Sequence, residues 1–290
     1  MEKEMSETVP EVKSFVGLAD YLESQTPTKV DSGDVLGRMR DVVSDPLNAL
    51  IKRHPWAGQI FYDDVMLHNG VIVPHTGKYS YYHDQSQVLI VNRGVHEPLE
   101  EYCFQEMLKH LPEEPVMLEL GAYWGHYSMW CQKVRPKAQL FLVEPEMPNL
   151  ECAIHNFKRN GFSGIMMQDF VGDGHFQVDE YLERKQMAKL HILHSDIQGF
   201  EAQMLRGAQN SLAARKIDYV FISTHSDELH ADCIATLESF GYVVTVQSNF
   251  STGTTSYDGF ILACSPEIKP LLKGFKFLER LDILREAAKR

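Results

Sequence analysis

Two carboxylates and a pair of glycines carry the first chemical hint in this chain. The stretch VMLELGAYWGHYS, residues 116–128, runs apolar into Glu119 and turns between Gly121 and Gly125. A glycine turn lets backbone approach a ligand with no side chain in the way. The helix that should open near His126 would offer unpaired backbone N–H groups. Glu144, in LVEPE, follows Gly121 by about 23 positions, near the spacing at which nucleotide-binding α/β folds set an acid against a ribose diol. A second group of polar residues gathers near later strand ends. LHSD puts His194 and Asp196 on one face by period two, and STHSDELH offers His225. An imidazole titrates near working pH, so His225 reads as a general base, with Asp196 orienting it or the acceptor. The competing reading is a divalent metal, magnesium or manganese, held by Asp196, His225 and Glu201 or Asp227. Each feature has a bland counterpart: a tight βα turn, a solvated strand end, or a helix cap, which Ser226 and Asp227 resemble.

These residues need elements to hold them. From 116 the chain alternates apolar runs with helical patterns: VMLEL, AQLFLVEP, GIMMQDF, KLHILHSD and IDYVFISTHS read as strands. HYSMWCQKV, NLECAIHNFKRNG, VDEYLERKQ, EAQMLRGAQNSL and DELHADCIATLESFG read as the helices between them. Such alternation implies a parallel sheet with helices on both faces. YVVTVQS and YDGFILACS are too close for a helical crossover, so an antiparallel hairpin should complete a mixed seven-stranded sheet. HEPLEEYCFQEMLKHL predicts a helix with Pro98 in its first turn. Residues 56–95 predict two or three small strands, and VKSFVGLADYLESQ and DVLGRMRDVV predict short helices before them. The expected division is an N-terminal α+β cap at 1–110, a ligand-binding domain at 111–265 and an amphipathic helix at 266–290.

Composition narrows the class. The chain has 290 residues and a formal charge of -12, which argues against nonspecific nucleic-acid binding. It holds no apolar run of membrane-spanning length, and its acidic start lacks a secretory h-region, so a cytoplasmic, membrane-free protein is expected. Five scattered cysteines form no CxxC pair and read as small core residues in a reducing compartment. His230 reads as a solvated helix residue and Trp130 as core. Tyr81, Tyr82 and His83 form an aromatic-polar cluster, with packing the plainer role and cover for a substrate the sharper one.

GAYWG lacks the GxGxxG pattern, and Glu119 before it would repel a pyrophosphate while suiting a sulfonium or amino group. S-adenosylmethionine is therefore favoured over a nicotinamide dinucleotide. LELGAYWGHYS, LVEPEMPNLECAIHNFKRNG, HSDIQGFEAQMLRGA and YDGFILA then resemble the FkbM family of S-adenosylmethionine-dependent methyltransferases, over about residues 95–265. The family usually carries D-x-G-A-N-x-G, E-P and K-x-D-x-E-G-x-E. Here Glu119 stands for the first acid, Tyr123 for the usual Asn and Gln198 for an acid, while Asp196, Gly199 and Glu201 keep their places.

The resemblance implies a class I, Rossmann-like methyltransferase sheet, with cofactor contacts from Glu119, Gly121 and Glu144. It draws in Ala122, Tyr123, Gly125 and Asp196 around the turn, and Gln168 or Asp169 beside the adenine. His96, Tyr81 and Trp124 become candidate walls of the substrate pocket. The expected reaction is O-methylation of a small molecule or natural-product intermediate, with N-methylation of a peptide or amide as runner-up. A nicotinamide oxidoreductase and a noncatalytic cofactor-binding protein remain as alternatives from other classes. The amphipathic tail and N-terminal helices would support a homodimer.

Overall fold

The computed structural model describes residues 35–81, 86–256 and 258–288. The helix expected in VKSFVGLADYLESQ and the residues Tyr82 and His83 lie outside them. The chain opens with α1 (Val35–Ser44) and a 3-10 turn at Pro46–Ala49 that Asp45 caps through the Leu47 N–H. A three-stranded antiparallel meander follows, β1 (Ile60–Phe61), β2 (Asp64–Met66) and β3 (Ile72–Pro74). Two helices then lead inward, α2 (Gln87–Val91) and α3 (Pro98–Leu108), with Pro98 in the first turn of α3 as expected.

The main sheet is built from β4 (Val116–Leu120), β5 (Gln139–Val143), β6 (Ile165–Met167), β7 (Leu190–Ser195), β8 (Ile217–Thr224), β9 (Val243–Ser248) and β10 (Gly259–Cys264). Its order is β6-β5-β4-β7-β8-β10-β9, parallel except for β10, which runs antiparallel to both β8 and β9. That is the expected seven-stranded mixed sheet closing in a hairpin. Between the strands run α4 (His126–Val134), α5 (Met147–Asn160), α6 (Val178–Arg184), α7 (Glu201–Arg206), α8 (Gln209–Ala213) and α9 (Asp227–Ser239).

Period-two alternation divides the sheet's side chains between two cores. Met117, Ile192, Tyr219 and Phe221 face α3, α4 and the N-terminal layer, while Leu118, Leu120, Leu193, Val220 and Ile222 face the helices of the other side. Val65, Leu67, Val73 and Leu89 share the first core with Phe104 and Trp130, so the N-terminal layer is packed onto the sheet. Asn160 of α5 completes this docking by exchanging two hydrogen bonds with the backbone of Ile72, at 3.0 and 2.7 Å. Trp130 is core, and all five cysteines are free and buried.

Four expectations need correcting. The strand at GIMMQDF stops at Met167, since Gln168 and the residues after it leave the sheet toward the bridge at Val171. EAQMLRGAQNSL is two short helices that break at Gly207. The C-terminal helix is only α10 (Arg280–Ala288), and the apolar Leu271 and Phe275 before it pack on the core from turns. His230 is buried, bridging Thr224 at 2.8 Å and Gln247 at 3.0 Å across the end of the sheet. Among the described residues no helix is long and apolar enough to cross a membrane.

Candidate active site

A cavity of about 710 Å³ opens beyond the carboxyl ends of β4, β5, β7 and β8, where open α/β sheets place their ligands. The glycine turn forms its floor. Gly121 has φ +72°, and its N–H and that of Ala122 both donate to the Val143 carbonyl at 2.9 and 3.1 Å. A Cβ at Gly121 would overlap the carbonyl oxygen of Asp196, whose own N–H donates to Leu120. The glycine is thus demanded by the close passage of β4 and β7, before any ligand is considered. Gly125, at φ +74°, does not line the cavity; a Cβ there would press on Phe157 at 2.8 Å.

Glu119 is buried and accepts the Ser128 N–H at 3.0 Å. The first turn of α4 is therefore capped from the strand before it, and the N–H groups expected to be open there are in part already taken. Burial raises the Glu119 pKa, against the opposing pull of His194 and the Ser128 N–H. Glu144 directly follows β5, with Oε2 accepting the Tyr123 N–H at 3.0 Å. Its Oε1 accepts the Glu146 N–H at 3.1 Å and the Asn149 side chain at 3.3 Å. Of the roughly four acceptor positions on a carboxylate, about one is left for a ligand. Burial raises its pKa too, and the Tyr123 and Glu146 N–H groups oppose that.

The second group gathers on the other side of the cavity. The loop DIQG, with Gln198 at φ +54° and Gly199 at +102°, wraps around Glu201. Glu201 Oε1 accepts N–H groups from Ile197 at 3.1 Å and Gly199 at 3.3 Å, and lies 3.0 Å from His225 Nδ1. His225 Nε2 faces Asp196 Oδ1 at 3.3 Å and Asp258 Oδ1 at 3.2 Å. Burial disfavours the charged ring, but the three carboxylates outweigh it and push the His225 pKa up to about 11. With its proton on, the His225 ring answers the three carboxylates and has no lone pair to offer, whereas the sequence reading takes it as a general base. Asp196 is lowered in turn, burial opposing and His225 prevailing.

Asp196, Glu201 and His225 keep donor atoms within 4.8 Å of one another. As a metal ligand His225 would offer one imidazole nitrogen beside the two carboxylates, in its deprotonated form.

Tyr81, His96 and Trp124 all line the cavity and are buried, with the Tyr81 ring 4.8 Å from Trp124 and 5.1 Å from His96. Gln168 and Asp169 do not line it. Gln168 donates to the Pro145 carbonyl, and Asp169 accepts the Phe170 N–H; Phe170 and Val171 occupy the wall instead. Sequence reasoning passed over Asp258, although it lies within the quoted motif YDGFILA. It also passed over Glu100, whose two oxygens reach His194 at 2.5 Å and Ser223 at 3.0 Å. Nothing in local spacing marks Glu100, because its partners lie on strands far along the chain.

The sheet order and the cleft beyond its carboxyl ends define the Rossmann-like methyltransferase class. The Methyltransferase FkbM domain family model matches residues 175–244, the segment holding Asp196, Glu201 and His225. Over that segment the resemblance to the FkbM family of S-adenosylmethionine-dependent methyltransferases is borne out. No curated protein sequence matches the chain. Among solved structures it is similar to a precorrin-6y C5,15-methyltransferase from Geobacter metallireducens GS-15, at TM-score 0.43 and 13% identity over 57% of this chain and 86% of that one. It is similar to M. capricolum TrmK in complex with S-adenosyl-homocysteine, at TM-score 0.40 and 14% identity over 56% and 67%. It is also similar to a ribosomal protein L11 methylase from Lactobacillus delbrueckii subsp. bulgaricus, at TM-score 0.42 and 10% identity over 59% and 80%.

Proposed function

We propose that the protein moves a methyl group from S-adenosylmethionine to a hydroxyl of an uncharged or cationic small molecule. The observation that carries this reading is the charge of the cavity. Glu97, Glu119, Glu144, Glu146, Asp196 and Asp258 line it, and no lysine or arginine does among the described residues. Such a field favours a cation and disfavours a pyrophosphate or an anionic acceptor, which supports a sulfonium cofactor over a nicotinamide dinucleotide. The volume also suits a ligand of that size.

S-adenosylmethionine, when bound, supplies a methyl carbon on a cationic sulfur. The remaining work falls to the protein. Glu144 offers its open acceptor position to a ribose hydroxyl, and Phe170 and Phe200 supply apolar surface for the adenine in place of Gln168 and Asp169. Tyr81, His96 and Trp124 wall the acceptor side. Asp258 receives the proton that the acceptor hydroxyl releases, while Asp196, where His225 outweighs burial and lowers the pKa, stays ionised beside the ring. His225 positions these carboxylates and does not itself take the proton.

The test is incubation with S-adenosylmethionine and matched sets of alcohols, phenols, amines, amides and carboxylic acids, read by mass spectrometry for the gain of one methyl group. Turnover on hydroxylated members is expected. Asp258→Asn should lower kcat about 100-fold while cofactor affinity by titration is retained. Methylation confined to amide nitrogen would overturn the hydroxyl assignment. Binding of NADH without binding of S-adenosylmethionine would overturn the whole reading.

A further inference from the structure

Behind the turn at Gly121, three histidines surround one carboxylate. Glu101 of α3, His68 after β2, His96 before α3 and His126 at the start of α4 are each at most 2% exposed. Glu101 Oε1 is well supplied: it accepts the N–H groups of His96 at 2.9 Å and Glu97 at 3.3 Å, and His96 Nδ1 approaches to 2.5 Å. Glu101 Oε2 is different. It faces His68 Nε2 at 3.0 Å, but the two are not aligned as a hydrogen bond, and Oε2 has no other partner. His126 Nε2 lies 3.8 Å from the same carboxylate. Neither nitrogen of His68 and neither nitrogen of His126 has a hydrogen-bond partner.

Buried polar atoms without partners are few in native proteins, and each costs about 1–3 kcal/mol. Here five of them, from three residues, collect in one place. The rings around them are fixed: Trp124 stacks on His126 with centroids 5.0 Å apart, and Trp130 meets His68 edge-on at 4.4 Å. One donor atom from each of His68, Glu101 and His126 lies within 4.8 Å of the others. An ion at about 2.0–2.2 Å from each donor would hold them about 3.4 Å apart, a value between the 3.0 and 3.8 Å already present.

We propose that His68, Glu101 and His126 bind a divalent transition-metal ion, zinc foremost, with His96 as the neighbour that orients Glu101. Two imidazoles and one carboxylate suit a borderline ion better than magnesium or calcium. Ligating carboxylates are themselves hydrogen-bonded in such sites, the part His96 plays for Glu101. The three ligands come from the meander, the helix before the sheet and the helix after the cofactor turn. The ion would fasten the N-terminal layer to the methyltransferase sheet, a structural role independent of the acceptor's identity.

The experiment is metal analysis of the full chain, produced without a histidine tag, by inductively coupled plasma mass spectrometry. It is paired with cobalt titration followed by visible absorption. One zinc per chain is expected, together with cobalt d–d bands from nitrogen and oxygen ligands. His126→Gln and His68→Asn should each weaken zinc binding more than tenfold, and His96→Gln by about 10–100-fold, with folding checked by circular dichroism. Asp196→Asn and Glu201→Gln should keep the ion. Should the histidine variants fail to fold, zinc X-ray absorption on the unaltered protein reads the ligand set directly. A folded protein that shows no saturable zinc or cobalt binding would overturn the proposal. So would an ion that survives His126→Gln and His68→Asn but is lost with Asp196→Asn.

Discussion

The carbonyl oxygen of Asp196 occupies the space that a side chain on Gly121 would need. The end of β7 and the turn after β4 are thereby locked together, and the two halves of the candidate active site are set by one backbone contact. Gly121→Ala should cost about 3 kcal/mol or more, since the clash is with backbone and the φ is positive. Gly161→Ala is the matched control. It has φ +70° with nothing within 4 Å of the added carbon, and should cost about 1 kcal/mol. Urea midpoints of the two variants decide it; equal losses would mean the contact with Asp196 is not confining.

His225 should make stability fall as pH rises. Its folded pKa of about 11 stands above the ordinary value of 6.5. The folded chain therefore binds the proton more tightly than the unfolded chain. The stabilisation is complete below about 6.5 and is lost progressively as pH rises toward about 11. Between about pH 7 and about pH 10, the unaltered protein should lose more stability than His225→Gln in denaturant titrations. Parallel curves would show that the carboxylates do not hold the proton.

Glu144→Gln should weaken S-adenosylmethionine binding by about 10–100-fold, the worth of one charged hydrogen bond. The amide keeps one acceptor oxygen but sets its NH2 against the Tyr123 or the Glu146 N–H, so the thermal midpoint should fall as well. Calorimetric titration of both proteins reads the affinity. An unchanged affinity would remove Glu144 from the cofactor site.

Phe104 is fully buried where α3 meets the sheet, with its ring 5.3 Å from Trp130 and 5.5 Å from Phe221. Phe104→Ala should cost about 3–5 kcal/mol, measured by chemical denaturation. A loss under about 1 kcal/mol would mean that α3 is not part of the same core.

The sheet was legible because its strands are short apolar runs separated by helical patterns, and because the gap before YDGFILACS leaves no room for a crossover. The cap of α9 was legible for the same local reason: Ser226 accepts the Leu229 N–H at 3.1 Å. What failed was long-range. Glu119 lines the cavity as its place before the turn suggests, but its bond to the Ser128 N–H of α4 was not legible, because only packing decides which N–H groups lie within its reach. His225 reads as an ordinary imidazole beside Asp196; what the sequence does not show is that Glu201 and Asp258, on segments well apart along the chain, also face the ring and raise its pKa with Asp196 against burial. His230 looks solvated by its helix position and is buried because β9 crosses beside it. The cluster at Glu101 had no signature, since His68 and His126 have no fixed spacing from it.

The sealed sulfurs have a practical consequence. Cys103, Cys131, Cys152, Cys233 and Cys264 are all buried, and burial pushes every one of their thiols above the usual value, Cys131 and Cys233 to about 12. A folded molecule therefore presents scarcely any thiolate to an electrophile. The rate at which an alkylating reagent consumes these five groups is a clock for how often the chain comes open, and it needs no added label.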